Sequence, residues 1–339
     1  MSLQQAPEVV RDADLTALST FRLRARAAEL IYIHSLDQLA GLPRPPGPEL
    51  VLGGGSNTIF LADYPGRVIV NHMRGVEIQA CGDDVLVSAA AGENWHALVR
   101  RCLDEGLYGI ENLVMIPGSV GAAPMQNIGA YGVELADVFE SLDALDRHTG
   151  RIVALGQADC RFAYRDSRFK SVDRDRFLIG RVTLRLSRRF KPDTAYASLR
   201  AELDRLGIGR PTARQLAAAV MRLRRHRLPA PSRLANAGSF FKNPVVEADA
   251  ATSVLAEHPN LPHWPMPDGR CKLAAAWMIE QLGWKGRSLG RVGVYRNHAL
   301  VLVNHGGARP AELARLVDAI TNSVRRSFGL TLEPEPRLV

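Results

Sequence analysis

The chain has 339 residues, 46% of them hydrophobic, and a formal net charge of +8 at pH 7. That length is more than one core serves comfortably, so two or three lobes are expected, and the composition excludes a disordered or fibrous chain. No apolar run reaches the roughly 18 residues a membrane span requires, and residues 1–8 hold neither a basic stretch nor an apolar core, so a cytoplasmic protein without membrane insertion is expected.

The four cysteines, Cys81, Cys102, Cys160 and Cys271, lie far apart with no Cys-x-x-Cys and no nearby histidine pair. That spacing argues against a disulfide framework and against zinc, and no metal site is expected. The basicity comes almost wholly from arginine, since there are only five lysines, and it is densest in the run Arg222 to Arg227. Elsewhere it is dispersed. A substrate with several negative charges explains a basic cleft as well as nucleic acid does, and no nucleic-acid partner is expected.

In chain order, residues 43–48 form a proline-rich connector, and residues 49–52 read as a short strand running into Gly53, Gly54, Gly55, Ser56 and Asn57. Strands are expected at 67–70 and 85–89, then a helix over 93–105, where Trp95, Leu98, Val99, Cys102 and Leu103 repeat at helical spacing and Gly106 ends the run. Residues 177–186 alternate as a strand, and 188–198 read as a loop interrupted by Pro192. Helices follow at 215–226, capped by Thr212, at 273–282, closed by Gly283, and at 311–328, opened by Pro310, with a strand at 299–303 before the last. No internal repeat emerges.

Two glycine loops stand out. Consecutive glycines after a strand let successive amides converge on an anion, with Ser56 and Asn57 adding side-chain donors. Residues 116–132 then hold four glycines, several small residues and no charge, a backbone able to close on a phosphate or a flat ring. Neither loop has the Gly-x-Gly-x-x-Gly spacing of a Rossmann turn. Further polar clusters lie at 161–170, where aromatics alternate with charge around Arg165, at 236–244 around Ser239, at 295–298 before a strand, and at 333–337. Taken singly, each has a plain structural reading: a solvated ion pair for Arg165, a turn hydroxyl for Ser239, a solvated Glu335, a structural His298 and a packed Tyr196.

In order, however, Ser19-Thr20-Phe21, the first glycine loop, Gly92-Glu-Asn-Trp95, the second loop, Tyr164-Arg-Asp-Ser167, Gly238-Ser-Phe-Phe-Lys-Asn-Pro244, Lys272-Leu-Ala-Ala-Ala-Trp277 and Glu333-Pro-Glu335 resemble the UDP-N-acetylenolpyruvoylglucosamine reductase (MurB) family of bacterial peptidoglycan synthesis. The resemblance covers nearly the whole chain. It implies an α+β fold: an FAD-binding domain of the vanillyl-alcohol-oxidase (PCMH) type in two lobes, 1–75 and 76–214, a C-terminal α+β substrate-binding domain at 215–330, and a tail, 331–339, that returns to the active site between the domains. It also implies a monomer that binds FAD tightly but not covalently and uses NADPH to reduce the enolpyruvyl ether of a UDP-sugar to a lactyl ether. Hydride would pass from the flavin to the terminal vinyl carbon, and a proton would be delivered to its neighbour.

The cofactor residues implied are Gly53, Gly54, Gly55, Ser56, Asn57, Pro117, Gly118, Ser119, Gly121, Ala122, Ala123, Gln126, Asn127, Gly129, Ala130 and Gly132. Carried over by motif, Ser239 is the proton donor, and Arg165 and Glu335 bind and polarise the enolpyruvyl carboxylate. Glu335 can sit beside a carboxylate only with a shared proton or cation, because two bare like charges repel. For the UDP-sugar the resemblance implies Tyr196, Arg227, Asn243, His298 and Arg337, with Tyr196 as a lid. Where the family often has lysine before Leu228-Pro229, this chain has Arg227. Three other functions stay open: a related FAD oxidase of another alcohol or sugar, a non-catalytic flavin or UDP-sugar sensor, and a nucleic-acid binder.

Overall fold

The computed structural model describes residues 7–39, 45 and 47–339. Most of residues 1–8 and half of the connector 43–48, both read above, lie outside the described residues. The chain divides into two compact units, and the division is discontinuous. The first holds the stretches up to 13, 27–54 and 64–225; the second holds 14–26, 55–63 and 226–339.

Within the first unit, one sheet has the order Val9–Asp14, Arg26–Ile33, Tyr64–Asn71, Glu49–Leu52. Tyr64–Asn71 pairs in parallel with the strand on each side, and it reads as an apolar run because nearly all of it is buried. Its buried polar residues are Arg67 and Asn71: the Arg67 guanidinium is matched by Glu29 at 2.6 Å and Glu49 at 3.5 Å, and Asn71 donates to Ile179 O at 2.9 Å and accepts Met73 N–H at 3.1 Å. The second sheet is antiparallel, ordered Arg151–Gly156, Phe139–Asp146, Phe177–Ser187, Asp84–Ala90, Val76–Cys81. Its inward residues Val85, Val87, Leu178, Val182 and Leu184 enclose a core shared with helix Trp95–Asp104, which buries Trp95, Leu98, Val99 and Cys102. Asn94 caps that helix by accepting Ala97 N–H at 2.9 Å, so the expected run 93–105 is shortened at both ends.

Helix Ala213–Arg227 places Leu216, Ala217, Ala219 and Val220 in the same core, and Thr212 Oγ1 accepts from Gln215 N, as its sequence position predicts. Residues 188–196 are loop, but Ala197–Arg205 is helical. That helix escapes a periodicity reading because only Leu199 and Leu203 mark its buried side.

Within the second unit, Ala235–Ser239, Val301–Asn304, Val292–Val294 and Ser288–Leu289 form one sheet. Val245–Val246, Cys271–Leu273 and His263–Pro265 form a smaller one. The core is closed by helix Pro310–Phe328 through Leu313, Leu316, Ile320, Val324 and Phe328, a stripe at 3.6-residue spacing, and Gly329 ends the helix at φ +66°. The expected helix 273–282 begins only at Ala275, because Cys271–Leu273 is taken up by strand pairing on both edges. The expected strand 299–303 begins at Val301, because Val301 N–H bonds back to His298 O and so closes a turn through 298–301.

Candidate active site

In the first unit the two glycine loops pack against each other main chain to main chain. A Cβ added at Gly54 would lie 2.8 Å from Gly118 Cα, and one at Gly53 only 3.1 Å from Ala122 Cβ. One at Gly121 would lie 2.4 Å from Ala91 Cβ. These three positions therefore exclude a side chain for reasons of packing, and the backbone amides gain their placement from it. Among the described residues, the amides of Gly54, Gly118 and Ser119 donate to no backbone carbonyl, and Ser119 Oγ is buried without a partner. Gly118, at φ +116°, turns the chain there. Unused donors on an uncharged, closely packed loop form an anion cradle.

The loop is also held under strain. Met115, Asn127, Tyr131 and Arg165 all sit at φ between +44° and +60° without being glycine. His96 Nδ1 accepts Met115 N–H at 3.2 Å. Burial, and then the charges of Arg100, Arg225 and Arg224, push the His96 imidazole below its usual range, which keeps that nitrogen free to accept. Asn127, 1% exposed, ties three segments together: its Nδ2 donates to Glu134 Oε2 at 2.6 Å and Ala163 O at 3.3 Å, and its Oδ1 accepts Ala136 N–H at 2.9 Å. Lys170 Nζ reaches Gln126 Oε1 at 3.2 Å.

Asn127 thereby anchors a tight hairpin in which Ala163 and Asp166 exchange backbone hydrogen bonds, leaving Tyr164 and Arg165 at its tip. Arg165 donates from Nη2 to Gly129 O at 2.6 Å and lies over the Tyr164 ring at 5.5 Å, while Asp166 Oδ1 accepts from Ser167 N–H. Tyr131 and Tyr196 meet edge to face with centroids 5.5 Å apart, and Asn112 Nδ2 bridges Tyr131 O and Asp193 O. The loop 188–196 is thus joined to the second glycine loop, with Tyr196 40% exposed.

In the second unit Gly55, at φ +61°, packs so closely that an added Cβ would collide with Leu18 O, and its carbonyl accepts Thr20 N–H at 3.1 Å. Thr20 Oγ1 is buried without a partner. Asn57 follows, and its Nδ2 donates to Glu335 O at 3.3 Å while its own carbonyl accepts Arg337 N–H at 2.8 Å. On its other side Glu335 N–H donates to Phe240 O at 2.7 Å, and Lys242 N–H to Glu333 O at 3.0 Å. The C-terminal segment is therefore laid between Asn57 and the residues that follow Ser239, with Pro334 bridged to Phe241. It continues as Arg337–Leu338 pairing with Thr58–Ile59.

Ser239 ends strand Ala235–Ser239 on a bulge: the register with Val301–Asn304 shifts between Asn236 and Ser239, and Gly238 takes φ +70°. Asn236, 2% exposed, fixes the bulge by accepting Gly238 N–H at 3.0 Å and donating to Pro229 O and Leu234 O. A bulge of this kind re-aims the side chain that follows it. Asn243 Oδ1 caps helix Ala275–Gln281 by accepting Ala275 N–H at 3.1 Å. His298 Nδ1 accepts Leu300 N–H at 3.2 Å; burial, then the nearby charges of Arg227 and Lys285, push the imidazole down to about 4. So Ser56, Asn57, Ser239, Asn243, His298, Glu335, Arg337 and Arg227 belong to the second unit, whereas the 116–132 loop, Arg165 and Tyr196 belong to the first.

Two family models match the chain: an FAD binding domain at residues 46–156 and a UDP-N-acetylenolpyruvoylglucosamine reductase C-terminal domain at 230–339. UDP-N-acetylenolpyruvoylglucosamine reductase of Azoarcus sp. is 47% identical, covering 100% of both chains. The chain belongs to the UDP-N-acetylenolpyruvoylglucosamine reductase family. The reductase of Pseudomonas aeruginosa is 47% identical, with 98% of this chain and 99% of its own covered, and that of Cupriavidus pinatubonensis is 49% identical over 94% and 95%. The MurB crystal structure from Thermus caldophilus superposes with TM-score 0.67 at 25% identity, covering 98% of each chain. A solvent-stable cholesterol oxidase shares the fold at TM-score 0.50 and 12% identity, covering 97% of this chain and 87% of its own.

The fold is thus α+β, with a PCMH-type FAD-binding domain and a MurB C-terminal domain. The unused amides of Gly54, Gly118 and Ser119 and the orphaned Ser119 Oγ fit the phosphates of FAD, whose binding the family shares. Sequence reading passed over His96, Arg224 and the hydroxyl of Thr20. His96 lies on the expected helix 93–105 and Arg224 in the basic run Arg222 to Arg227, and spacing alone distinguishes neither from its neighbours.

Proposed function

We propose that this chain reduces the enolpyruvyl group of UDP-N-acetylenolpyruvoylglucosamine, with NADPH as reductant and FAD as carrier, to give UDP-N-acetylmuramate in the cytoplasm. The observation that carries this is the C-terminal segment: Glu335 is bonded through its main chain to Asn57 on one side and to Phe240, next to Ser239, on the other. A non-catalytic flavin binder has no need of that arrangement, and neither does a nucleic-acid binder.

FAD, when bound, supplies a two-electron carrier between NADPH and the alkene. The first-unit residues Gly54, Gly118 and Ser119 hold its phosphates with amides and a hydroxyl, which neutralise charge without a side-chain cation. Arg165 binds the enolpyruvyl carboxylate through its planar guanidinium, a bidentate contact that lysine cannot copy. As negative charge spreads onto that carboxylate during reduction, the same contact strengthens. Ser239 delivers its Oγ proton to the carbon next to the carboxylate. A hydroxyl is a weak acid, but the carbanion-like acceptor is a far stronger base. Glu335 shares a proton at the carboxylate, and Tyr196, Arg227, Asn243, His298 and Arg337 serve the UDP-sugar.

The test is an anaerobic one. Dithionite-reduced, FAD-loaded protein is mixed with the UDP-enolpyruvyl sugar, and the flavin absorbance is followed. Reoxidation that depends on the sugar, and steady NADPH consumption that depends on it too, are expected. A flavin that stays bleached with fresh substrate refutes the assignment.

A further inference from the structure

Asn127 stands in the second glycine loop with its side-chain amide wholly engaged inside the first unit. It is 1% exposed, and its partners fix which way the amide points. Ala136 N–H can only donate, so the atom 2.9 Å from it is Oδ1; Ala163 O can only accept, and takes an Nδ2 proton at 3.3 Å. The other Nδ2 proton goes to Glu134 Oε2 at 2.6 Å. Neither proton is left for a cofactor. The backbone of Asn127, at φ +44°, is in a region that asparagine enters more readily than most residues.

Two routes lead from that amide to Arg165. One runs through Ala163 to the hairpin closed by the Ala163–Asp166 bridge, where Arg165 is held at φ +53°. The other runs through Glu134, which pairs antiparallel with Gly129, and Gly129 O accepts Arg165 Nη2 at 2.6 Å. A Cβ added at Gly129 would lie 3.0 Å from both Arg165 Nη1 and Glu134 Cγ, so the guanidinium and the Glu134 side chain border the same glycine. The main chain of Arg165 and its guanidinium are thus tied to one buried amide by separate paths. A left-handed arginine needs both ties, because its backbone is strained and its side chain has many rotamers to lose. Ser167 Oγ, donating to Met125 O at 2.8 Å, and Lys170 Nζ, reaching Gln126 Oε1 at 3.2 Å and Arg165 O at 3.3 Å, add further links between hairpin and loop.

We propose that Asn127 is a positioning residue for Arg165, acting on the reaction through that guanidinium and not as a ligand of the cofactor. This rests on the reductase reading above, in which Arg165 grips the enolpyruvyl carboxylate. A bidentate contact has its full strength only when the guanidinium plane meets the carboxylate squarely. A misplacement of about 1 Å costs on the order of 100-fold in rate. The Asn127 amide sets that plane before the substrate arrives.

The experiment uses the full FAD-loaded chain as wild type, Asn127→Asp, Asn127→Asp with Glu134→Gln, and Glu134→Ala. Flavin content is measured, then reoxidation of the reduced flavin by the enolpyruvyl substrate and by its carboxamide analogue. Asn127→Asp keeps the side chain's size and its bond from Ala136 N–H, but turns a carboxylate toward Glu134 and Ala163 O, where only donors fit. It is expected to slow reoxidation by the acid about 100-fold and by the amide much less, while FAD stays bound. Adding Glu134→Gln supplies a donor opposite the new carboxylate and should recover part of the preference for the acid, which a general loss of packing would not allow. Glu134→Ala removes one of the three bonds and should lower the same preference by a smaller factor; it carries the test if Asn127→Asp does not fold. Loss of FAD with the acid preference intact would make Asn127 a cofactor ligand and overturn the proposal. Equal losses with acid and amide, or no recovery in the double variant, would overturn it too. A wild-type flavin that the acid does not reoxidise would instead refute the reductase reading on which the proposal rests.

Discussion

Ser239 and His298 show how a single residue is given its chemistry by its surroundings. The serine lies just past a glycine in the left-handed region, on a bulge that buried Asn236 fixes, so its hydroxyl is set by the backbone and not by a flexible loop. Ser239→Ala leaves that backbone unchanged. It should slow flavin reoxidation by the substrate by about 10²- to 10⁴-fold, the usual worth of general acid catalysis, while leaving reduction by NADPH near its wild-type rate; stopped-flow absorbance separates the two steps.

His298 titrates well below the ordinary histidine range, because burial and the charges of Arg227 and Lys285 oppose its protonation. Its unfolded form takes up a proton near the ordinary value, so the unfolded state binds more protons between about 6.5 and 4, and stability falls as pH drops through that window. Between pH 7 and 5 the loss is about 2 kcal/mol. His298→Asn should flatten that part of the stability profile, as read from thermal midpoints at each pH; an unchanged slope would show that other groups carry the acid sensitivity.

At the scale of elements, the two glycine loops are made by each other. Gly54 and Gly121 have no unusual need for a left-handed backbone; they are glycine because Gly118 and Ala91 occupy the space a Cβ would take. Gly121→Ala should therefore destabilise the protein by about 1–3 kcal/mol through overpacking and weaken FAD retention, measured by flavin fluorescence release in urea. Adding Ala91→Gly, which removes the closest clash, should recover part of both. An additive loss in the double variant would mean the contact with Ala91 is not what sets Gly121.

Elements with a strong period were legible from the residues alone: helix Trp95–Asp104, helix Pro310–Phe328 and strand Phe177–Ser187 all fall close to where spacing puts them. Helix Ala197–Arg205 and strands Arg26–Ile33 and Val76–Cys81 were not, since the first is marked by two leucines and the last shows no buried residue along its length. Leu273 fits a helical period but was claimed by strand pairing, an instance of tertiary context overriding a local pattern.

For the molecule as a whole, each unit has its own apolar core, one around Trp95 and Phe169 and the other around Phe240, Met278 and Ile320. FAD binds the native loops and not the unfolded chain, so free FAD at a hundred times its dissociation constant should add about 2.7 kcal/mol of stability to the apoprotein. Thermal melts of deflavinated protein over a range of FAD concentrations test this, and a midpoint indifferent to FAD would count against a native flavin site. None of the described helices is long and apolar enough to cross a membrane.

The sequence by itself determined the family, the two glycine loops and the order of the polar motifs, because these are local: a run of small residues or a Gly-Ser-Phe-Phe-Lys-Asn string keeps its meaning wherever the chain goes. It took the folded chain to join residues 14–26 and 55–63 to the C-terminal unit, to bond Asn57 to Glu335 across 278 positions, and to bury Nε of Arg224 while Arg222 meets Glu202. Those facts depend on which distant segments meet and which charges lose their water. Burial and long-range pairing are settled by packing the whole chain at once, and neither is a property of the stretch of sequence in which a residue stands.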